Sequence, residues 1–325
     1  EAVGPTHRFV VGFAGDVNMI RGVEARSPLA GVAELLSNPD LMMVNLETVV
    51  GEAAEVGPPP IAKEFVFRSP PETVDQLVEA GVDVLGLANN HAWDHGPAGV
   101  AATVANVDRA ALVGIGAGPD ADAAYEPVFL EAAGRTVGIV SFSTVPCDWS
   151  NDPAAERPEV AWACDRFAAS ATAAVRDAVA GSDISVVLLH GSAELVDCPL
   201  ASTREVVSAW VDLGIDIVAV SHPHVLGGVE RIDDGVVLWS TGNFAFVNGG
   251  GRTARSAVFE VTVGGDDALD LRVIPPVLPG GVAAPAADTE ASIVRDEIST
   301  RTVGGHLDED GLLIADDEPS ICDLR

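Results

Sequence analysis

Lysine is almost absent from this chain. Of its 18 basic residues only Lys63 is a lysine, and they face 49 Asp and Glu, a formal net charge of −31. Charge of that sign repels a phosphate backbone, which excludes a nucleic-acid binder working by bulk electrostatics. An anionic ligand would need local positive charge, from arginine or a metal ion, to overcome the surrounding field. No apolar run approaches the roughly 20 residues of a membrane span, so the chain as given is expected to be soluble. Cysteine is scarce too: Cys147, Cys164, Cys198 and Cys322 show no CxxC or Cys/His zinc spacing. Their even number allows one or two disulfides in an oxidising compartment, with buried free thiols the alternative. The chain opens at Glu1 without Met, as expected of one trimmed of a signal or anchor.

The 48% of hydrophobic residues fill a sizeable core in one large or two ordinary domains of about 150 residues each, and exclude disorder over most of the length. Strand-like apolar runs alternate with amphipathic helical stretches, the pattern of an α/β layered domain. Strands are expected at Phe9–Ala14, Leu41–Val44, Val82–Leu87, Val137–Phe142, Ile184–Leu189, Ile215–Val220 and Val236–Trp239. Helices are expected at Pro71–Ala80, Val100–Ala111 and Ser202–Leu213. From Gly264 the chain is Pro- and Gly-rich. Gly304–Arg325 is acidic and is expected to be a poorly ordered tail, set apart from the 1–303 domain, unless Cys322 pins it.

The polar residues that carry chemistry stand just past the strands. Loops at the carboxyl ends of an open α/β sheet converge on one crevice. Here those ends carry Asp16, Asn18, Asn45, Glu47, Asn89, Asn90, His91, His190, Glu194, His222 and His224, including four of the seven histidines. Carboxylate, amide and imidazole without thiolate suit Mn, Fe or Zn in a working site better than a structural zinc-thiolate centre. Singly, Gly15-Asp16 also reads as a turn and Asn45-Leu46-Glu47 as a helix cap. Asn89-Asn90-His91, directly after a buried strand, has little structural purpose. Ser221-His222-Pro223-His224 offers two imidazoles around a rigid proline, a plausible metal clamp.

In order along the chain, Phe13-Ala14-Gly15-Asp16, Val44-Asn45-Leu46-Glu47, Ala88 to Gly96, Ser221 to Leu226 and Thr241-Gly242-Asn243-Phe244 resemble the CapA family of poly-γ-glutamate capsule biosynthesis proteins. The resemblance runs from about residue 8 to about 280 and includes Phe65-Val66-Phe67-Arg68 and Gly114 to Gly118. That family is similar to calcineurin-like metallophosphatases, which implies a four-layer α/β/β/α sandwich around a site for two divalent ions. The resemblance assigns Asp16 to the first metal, Glu47 to the bridging position, and Asn90, His190, His222 and His224 to the remaining metal positions. It makes His91 the general acid. Three departures stand out. Asn18 replaces a ligand that is usually His. The family's His-Trp-Gly-x-Glu-Tyr reads His190-Gly191-Ser192-Ala193-Glu194-Leu195. Val220 stands where Gly is usual.

The expected chemistry is metal-assisted hydrolysis or acyl or phosphoryl transfer, with Asp94 orienting His91. Asn18, Asn45, Lys63, Arg68, Glu194 and Asn243 are candidates for contacting an anionic polymer or phosphoester, although Lys63 and Arg68 also read as ordinary surface charges. A non-catalytic capsule assembly or export component that binds metal or polymer is the alternative. Either role implies an extracytoplasmic setting, a capsule synthesis complex at the membrane as partner, any anchor lying outside this chain, and no nucleic acid. Cys147 and Cys164 are expected to bond, closing an 18-residue loop too polar and Pro-rich to hold itself, for about 3 kcal/mol of stabilisation.

Overall fold

The computed structural model describes residues 8–60, 62–145, 159–164, 167–247, 250–264 and 268–323. Its two main sheets follow from apolar runs in which both parities of residue are buried. In Leu41–Leu46, Leu41 and Met43 point into the space between the sheets, while Met42, Val44 and Leu46 point outward under helices. In Ile184–His190, Val186 and Leu188 face inward and Val187 and Leu189 outward. Strands buried on both faces have helices on the outside, as parallel sheets do.

The first sheet has seven strands. Its path runs Leu269–Ile274, Val258–Val263, Phe9–Asn18, Leu41–Leu46, Val84–Gly86, Val113–Ile115, and Asn243–Phe246 adds to the end of Phe9–Asn18. The second has six, in the order Val229–Ile232, Gly235–Leu238, Ile217–Ser221, Ile184–His190, Arg135–Ser143, Val128–Ala132. Helices Glu72–Glu79 and Gly96–Arg109 cover the first through Val74, Leu77 and Val107. Helices Ala168–Ala180 and Ala201–Val211 cover the second through Ala171, Ala174, Val175, Val207 and Trp210. The layering is therefore helix, sheet, sheet, helix, and among the described residues no helix is long and apolar enough to cross a membrane.

Several boundaries differ from expectation for physical reasons. The first strand continues past Ala14 to Asn18, because beyond Gly15 it gains a parallel partner, Asp16 opposite Asn243. The helix expected from Val100 starts at Gly96, where Pro97 suits a first turn that needs no amide proton. The acidic segment beyond Gly304 forms the antiparallel pair Gly305–Leu307 and Leu313–Ala315, with Leu312 bridging to Arg272. Cys322 is bonded to Cys198, 124 residues away, the condition under which order was expected there. The expected Cys147 bond lies outside the described residues, since Cys147 does.

At Gly15 the first strand runs against the backbone of Thr241 and Gly242. A Cβ there would lie 1.9 Å from the carbonyl oxygen of Gly242, a backbone atom that cannot swing aside. Gly15→Ala should therefore cost at least the 1–3 kcal/mol typical of overpacking, and urea melts will read it. An unchanged midpoint would mean that the Gly242 turn yields freely.

Candidate metal centre

The carboxyl ends of the two sheets meet over one buried cluster. Asp16, at the end of the first strand and fully buried, ties the sheets together. Its Oδ1 accepts from Asn45 Nδ2 at 2.7 Å and its Oδ2 from the His222 backbone N–H at 3.1 Å. His224 Nδ1 lies 3.3 Å from the same Oδ2 and 2.8 Å from Asn243 Oδ1. His190 Nδ1 meets Ser221 Oγ at 3.0 Å and Asn45 Nδ2 at 3.2 Å, and its Nε2 meets Asn90 Oδ1 at 3.0 Å. Glu47 Oε1 sits among three imidazoles, 3.6 Å from His190 Nε2 and 3.8 Å from the Nε2 atoms of His224 and His91.

The clamp segment is strained. His222 and His224 adopt φ of 98° and 57°, a region that costs non-glycine residues of the order of 1–3 kcal/mol each and persists only where the surroundings hold it. The Asp16 bond to the His222 N–H supplies such a hold. Val220, in place of the usual glycine, is fully buried on the outer face with Val218 and Trp239, away from the cluster.

Ligand atoms of Glu47, His190 and His222 all lie within 4.8 Å of one another, as do those of Asp16, Glu47 and His224 and those of Glu194, His222 and His224. Glu47 belongs to two of these groups and so stands between two positions. The donor set passes a separate test. Asn18 Oδ1, both carboxylate oxygens of Glu47 and His222 Nδ1 are buried with no hydrogen-bond partner among the described residues. Orphaned buried polar atoms are costly and rare, and carboxylate and amide oxygens with an imidazole nitrogen suit a divalent cation of intermediate hardness.

The electrostatics agree. Burial pushes the Glu47 carboxyl well above its ordinary range, with Asp16 and Glu194 adding to the effect and His224 opposing it. Burial alone would lower His224, but the Glu47 and Asp16 carboxylates outweigh it and push it up to about 10. Burial, helped by His224, lowers His222 to about 4, and burial holds His190 well below its ordinary value. The upward shifts of Glu47 and His224 both favour their protonated forms. Divalent-ion binding should displace protons, because ligands bind deprotonated. Calorimetry in buffers of different ionisation enthalpy will show it, and heats independent of buffer would contradict it.

Beside the cluster, His91 Nδ1 is 2.7 Å from Asp94 Oδ2, and its ring stacks on Phe67 with centroids 4.0 Å apart. Asp94 also accepts from the Phe67 N–H at 2.7 Å and pairs with Lys63, whose Nζ donates to the Asn90 carbonyl at 2.9 Å. Burial lowers the pKa of His91 against the upward pull of Asp94; burial raises that of Asp94, but His91 and Lys63 bring it below the ordinary value.

The residues expected to contact substrate have these partners. Lys63 is committed to Asp94 and Asn90, and Arg68 donates to the Gly51 carbonyl at 2.8 Å. Asn45 and Asn243 orient Asp16, His190 and His224, and Asn18 Nδ2 reaches the Glu47 carbonyl at 3.4 Å. Glu194 alone of the six is exposed beside the histidines. Residues with no assigned role also matter. Asn89 Nδ2 donates to the Leu46 carbonyl at 2.9 Å and its Oδ1 accepts from the His91 N–H at 3.1 Å, which fixes the loop. Phe246 packs on both Phe67 and His224. The paired asparagines were a signal for the first; nothing in the sequence marked the second.

A family model described as bacterial capsule synthesis protein PGA_cap matches residues 10–248, a span holding the whole cluster. The chain is 28% identical over 287 residues to the capsule biosynthesis protein CapA of Bacillus anthracis, covering 85% of this chain and 70% of that one. It is 28% identical over 256 residues to the PGA biosynthesis protein CapA of Bacillus subtilis, covering 76% of this chain and 66% of that one. Among solved structures it matches a hypothetical protein of Thermus thermophilus at a TM-score of 0.53 and 18% identity, covering 83% of this chain and 100% of the other. It matches a novel phosphatase from Mycoplasma pneumoniae at 0.53 and 13%, covering 86% and 95%. These two likenesses are of fold alone, the helix, sheet, sheet, helix layering described above.

Proposed function

The chain belongs to the PGA_cap family of bacterial capsule synthesis proteins, and from that premise we propose that it is a metal-dependent hydrolase or transferase of capsule biosynthesis. Its substrate would be a phosphoester or a γ-glutamyl polymer. The observation that carries the reading is the set of buried side-chain atoms on Asn18, Glu47 and His222 that find no hydrogen-bond partner among the described residues.

Asp16, Glu47, Asn90, His190, His222 and His224 would hold the ions, with Asn18 contributing an amide oxygen. A divalent ion there supplies a Lewis acid for a phosphoryl or carbonyl oxygen and makes water acidic enough to attack. The chain's own residues do the rest. Asp94 holds His91 through Nδ1, which leaves Nε2 turned to the cluster as the atom that delivers a proton to the leaving group. Lys63 fixes Asp94 and the Asn90 backbone, so that acid and ligand loop keep one spacing. Phe67, stacked on His91, excludes water from that face of the ring.

The disulfide between Cys198 and Cys322 supports an extracytoplasmic setting, because such bonds persist in oxidising compartments. A capsule synthesis complex at the membrane is the partner we favour. Metal analysis of purified protein, followed by turnover assays on phosphoesters and on poly-γ-glutamate, tests the proposal. Bound divalent metal with turnover of one class is expected. Protein that binds no divalent metal overturns the reading, and metal binding without turnover makes it a non-catalytic assembly component.

A further inference from the structure

The loop from Gly191 to Leu200 joins the strand ending at His190 to the helix starting at Ala201. Its carboxylate, Glu194, is exposed, yet a carboxylate oxygen lies within 4.8 Å of imidazole nitrogens of His222 and His224. Exposed side chains on loops are ordinarily mobile. This loop is fastened on every side. The Leu195 N–H donates to the Pro223 carbonyl at 2.9 Å, inside the histidine clamp itself. The Leu200 N–H donates to Ser192 Oγ at 3.1 Å. Arg252 donates to the Leu195 carbonyl at 3.3 Å and pairs with Asp197, which Arg301 approaches at 3.4 Å. Cys198 is bonded to Cys322 near the end of the chain. The fastening holds Ser192 and Leu195, on either side of Glu194, at φ of 75° and 59°, which a free loop would relax.

We propose that Glu194 is an additional ligand of the metal centre, carried on its open side by this fastened loop and displaced by the anionic oxygen of a substrate. The inference rests on the metal-centre reading above and deepens it. Asp16 and Glu47 enter from the buried side with two negative charges, and the first-strand amide of Asn18 brings none. A third carboxylate brings the ligand charge nearer to that of two divalent ions. Entering from solvent, Glu194 occupies the direction from which a phosphoryl or carboxylate oxygen would arrive. Carboxylate and substrate anion then compete for one position, which makes the loop a control on both metal retention and anion affinity. The long-range disulfide thereby acquires a task at the site: it keeps a solvent-exposed ligand in place.

The test is calorimetric titration of Mn²⁺ and Zn²⁺ into metal-free parent, Glu194→Ala, Cys322→Ser and the double variant, with His222→Ala as reference. Glu194 is exposed, so its removal should leave the fold intact. Glu194→Ala is expected to weaken metal binding about 10-fold or more, the scale for partners that tune a metal site. Inorganic phosphate should then bind the metal-loaded variant more tightly than the parent. Cys322→Ser should weaken binding in the parent background and not further in Glu194→Ala. If Cys322→Ser does not fold, Arg252→Ala, which releases the same loop at Leu195 and Asp197, replaces it in the cycle. Equal metal affinity in parent and Glu194→Ala, with binding lost in His222→Ala, overturns this inference and leaves the metal centre standing. Unchanged binding in His222→Ala overturns both. Additive losses in the double variant would overturn the task given to the disulfide, since the fastening would then act elsewhere than through Glu194.

Discussion

Glu47→Gln is expected to abolish stabilisation by divalent metal while making the metal-free protein more stable at mildly alkaline pH. Both effects come from the same atoms. The Glu47 oxygens are buried without hydrogen-bond partners among the described residues, and burial raises the pKa from 4.5 despite the pull of His224. That direction means that ionising Glu47 in the folded protein costs stability. A carboxyl raised on folding contributes stability that is fully present below its unfolded pKa and lost as pH rises through its folded one. Glutamine has the shape of the protonated acid and cannot ionise, so it escapes the loss, a gain of the order of 1–3 kcal/mol, the cost of one unsatisfied buried polar group. In the parent, metal at 1,000 times its Kd should stabilise by about 4 kcal/mol; in the variant it should add nothing. Thermal melts with chelator and with saturating Mn²⁺ measure both. A variant that metal stabilises like the parent, or one less stable when metal-free, would refute the idea that Glu47 is kept for a cation at the expense of the fold.

His224 has a pH dependence of the opposite chemical type with the same sign. Its pKa, raised from 6.5 to about 10, contributes stability that is complete below the lower value and fades as pH rises through the upper one. The two shifts are coupled, because the Glu47 carboxylate is itself what raises His224, so they describe one shared loss of stability of the metal-free protein toward alkaline pH and not two. Ligands bind metal deprotonated, so the same rise in pH should strengthen metal binding.

How much of this was legible in the sequence depends on range. Each strand and its polar end sit within a few residues of one another, and the double-parity apolar runs at Leu41–Leu46, Ile184–His190 and Ile217–Ser221 left little choice but a sheet buried on both faces. The carboxyl-end rule then gathers the polar strand-end residues, and the family resemblance picks Asp16, Glu47, Asn90, His190, His222 and His224 out of them. What could not be read was set by partners far along the chain. The first strand outruns its apolar segment because Asn243 pairs with Asp16. Lys63 and Arg68 both read as substrate contacts or as surface charges, and no local pattern shows the partners they have, Asp94 for Lys63 and the Gly51 carbonyl for Arg68. The Cys198 to Cys322 bond joins residues 124 apart, a pairing that no local pattern encodes. The helix Ala168–Ala180 escaped notice because its buried stripe is mostly alanine, whose side chains give almost no contrast between faces.

His91→Ala, in contrast to Glu47→Gln, should keep metal and lose turnover. Its Nε2 lies 3.8 Å from Glu47 Oε1, while the neighbouring Asn90 reaches His190 directly, so the proposed ligands remain. What disappears is the proton for the leaving group, a loss of about 10² to 10⁴ in rate. It will be seen only with a substrate whose leaving group is poor, because an activated aryl phosphate departs without help. Asp94→Asn separates donation from packing. Asp94 pulls the pKa of His91 upward against the burial that lowers it, so removing its charge must lower that pKa further. A general acid works only while protonated, so in the parent kcat should fall as pH rises through the pKa of the His91 ring. In Asp94→Asn that limb should move to lower pH, with metal affinity unchanged. Lys63 also holds Asp94, and Asp94 receives the Phe67 N–H. The neutral amide can keep these contacts only in part, so calorimetry on the same samples must confirm metal loading. A limb that moves to higher pH, or a His91→Ala protein that turns over poor leaving groups as fast as the parent, would remove His91 as the acid. The proton would then have to come from solvent.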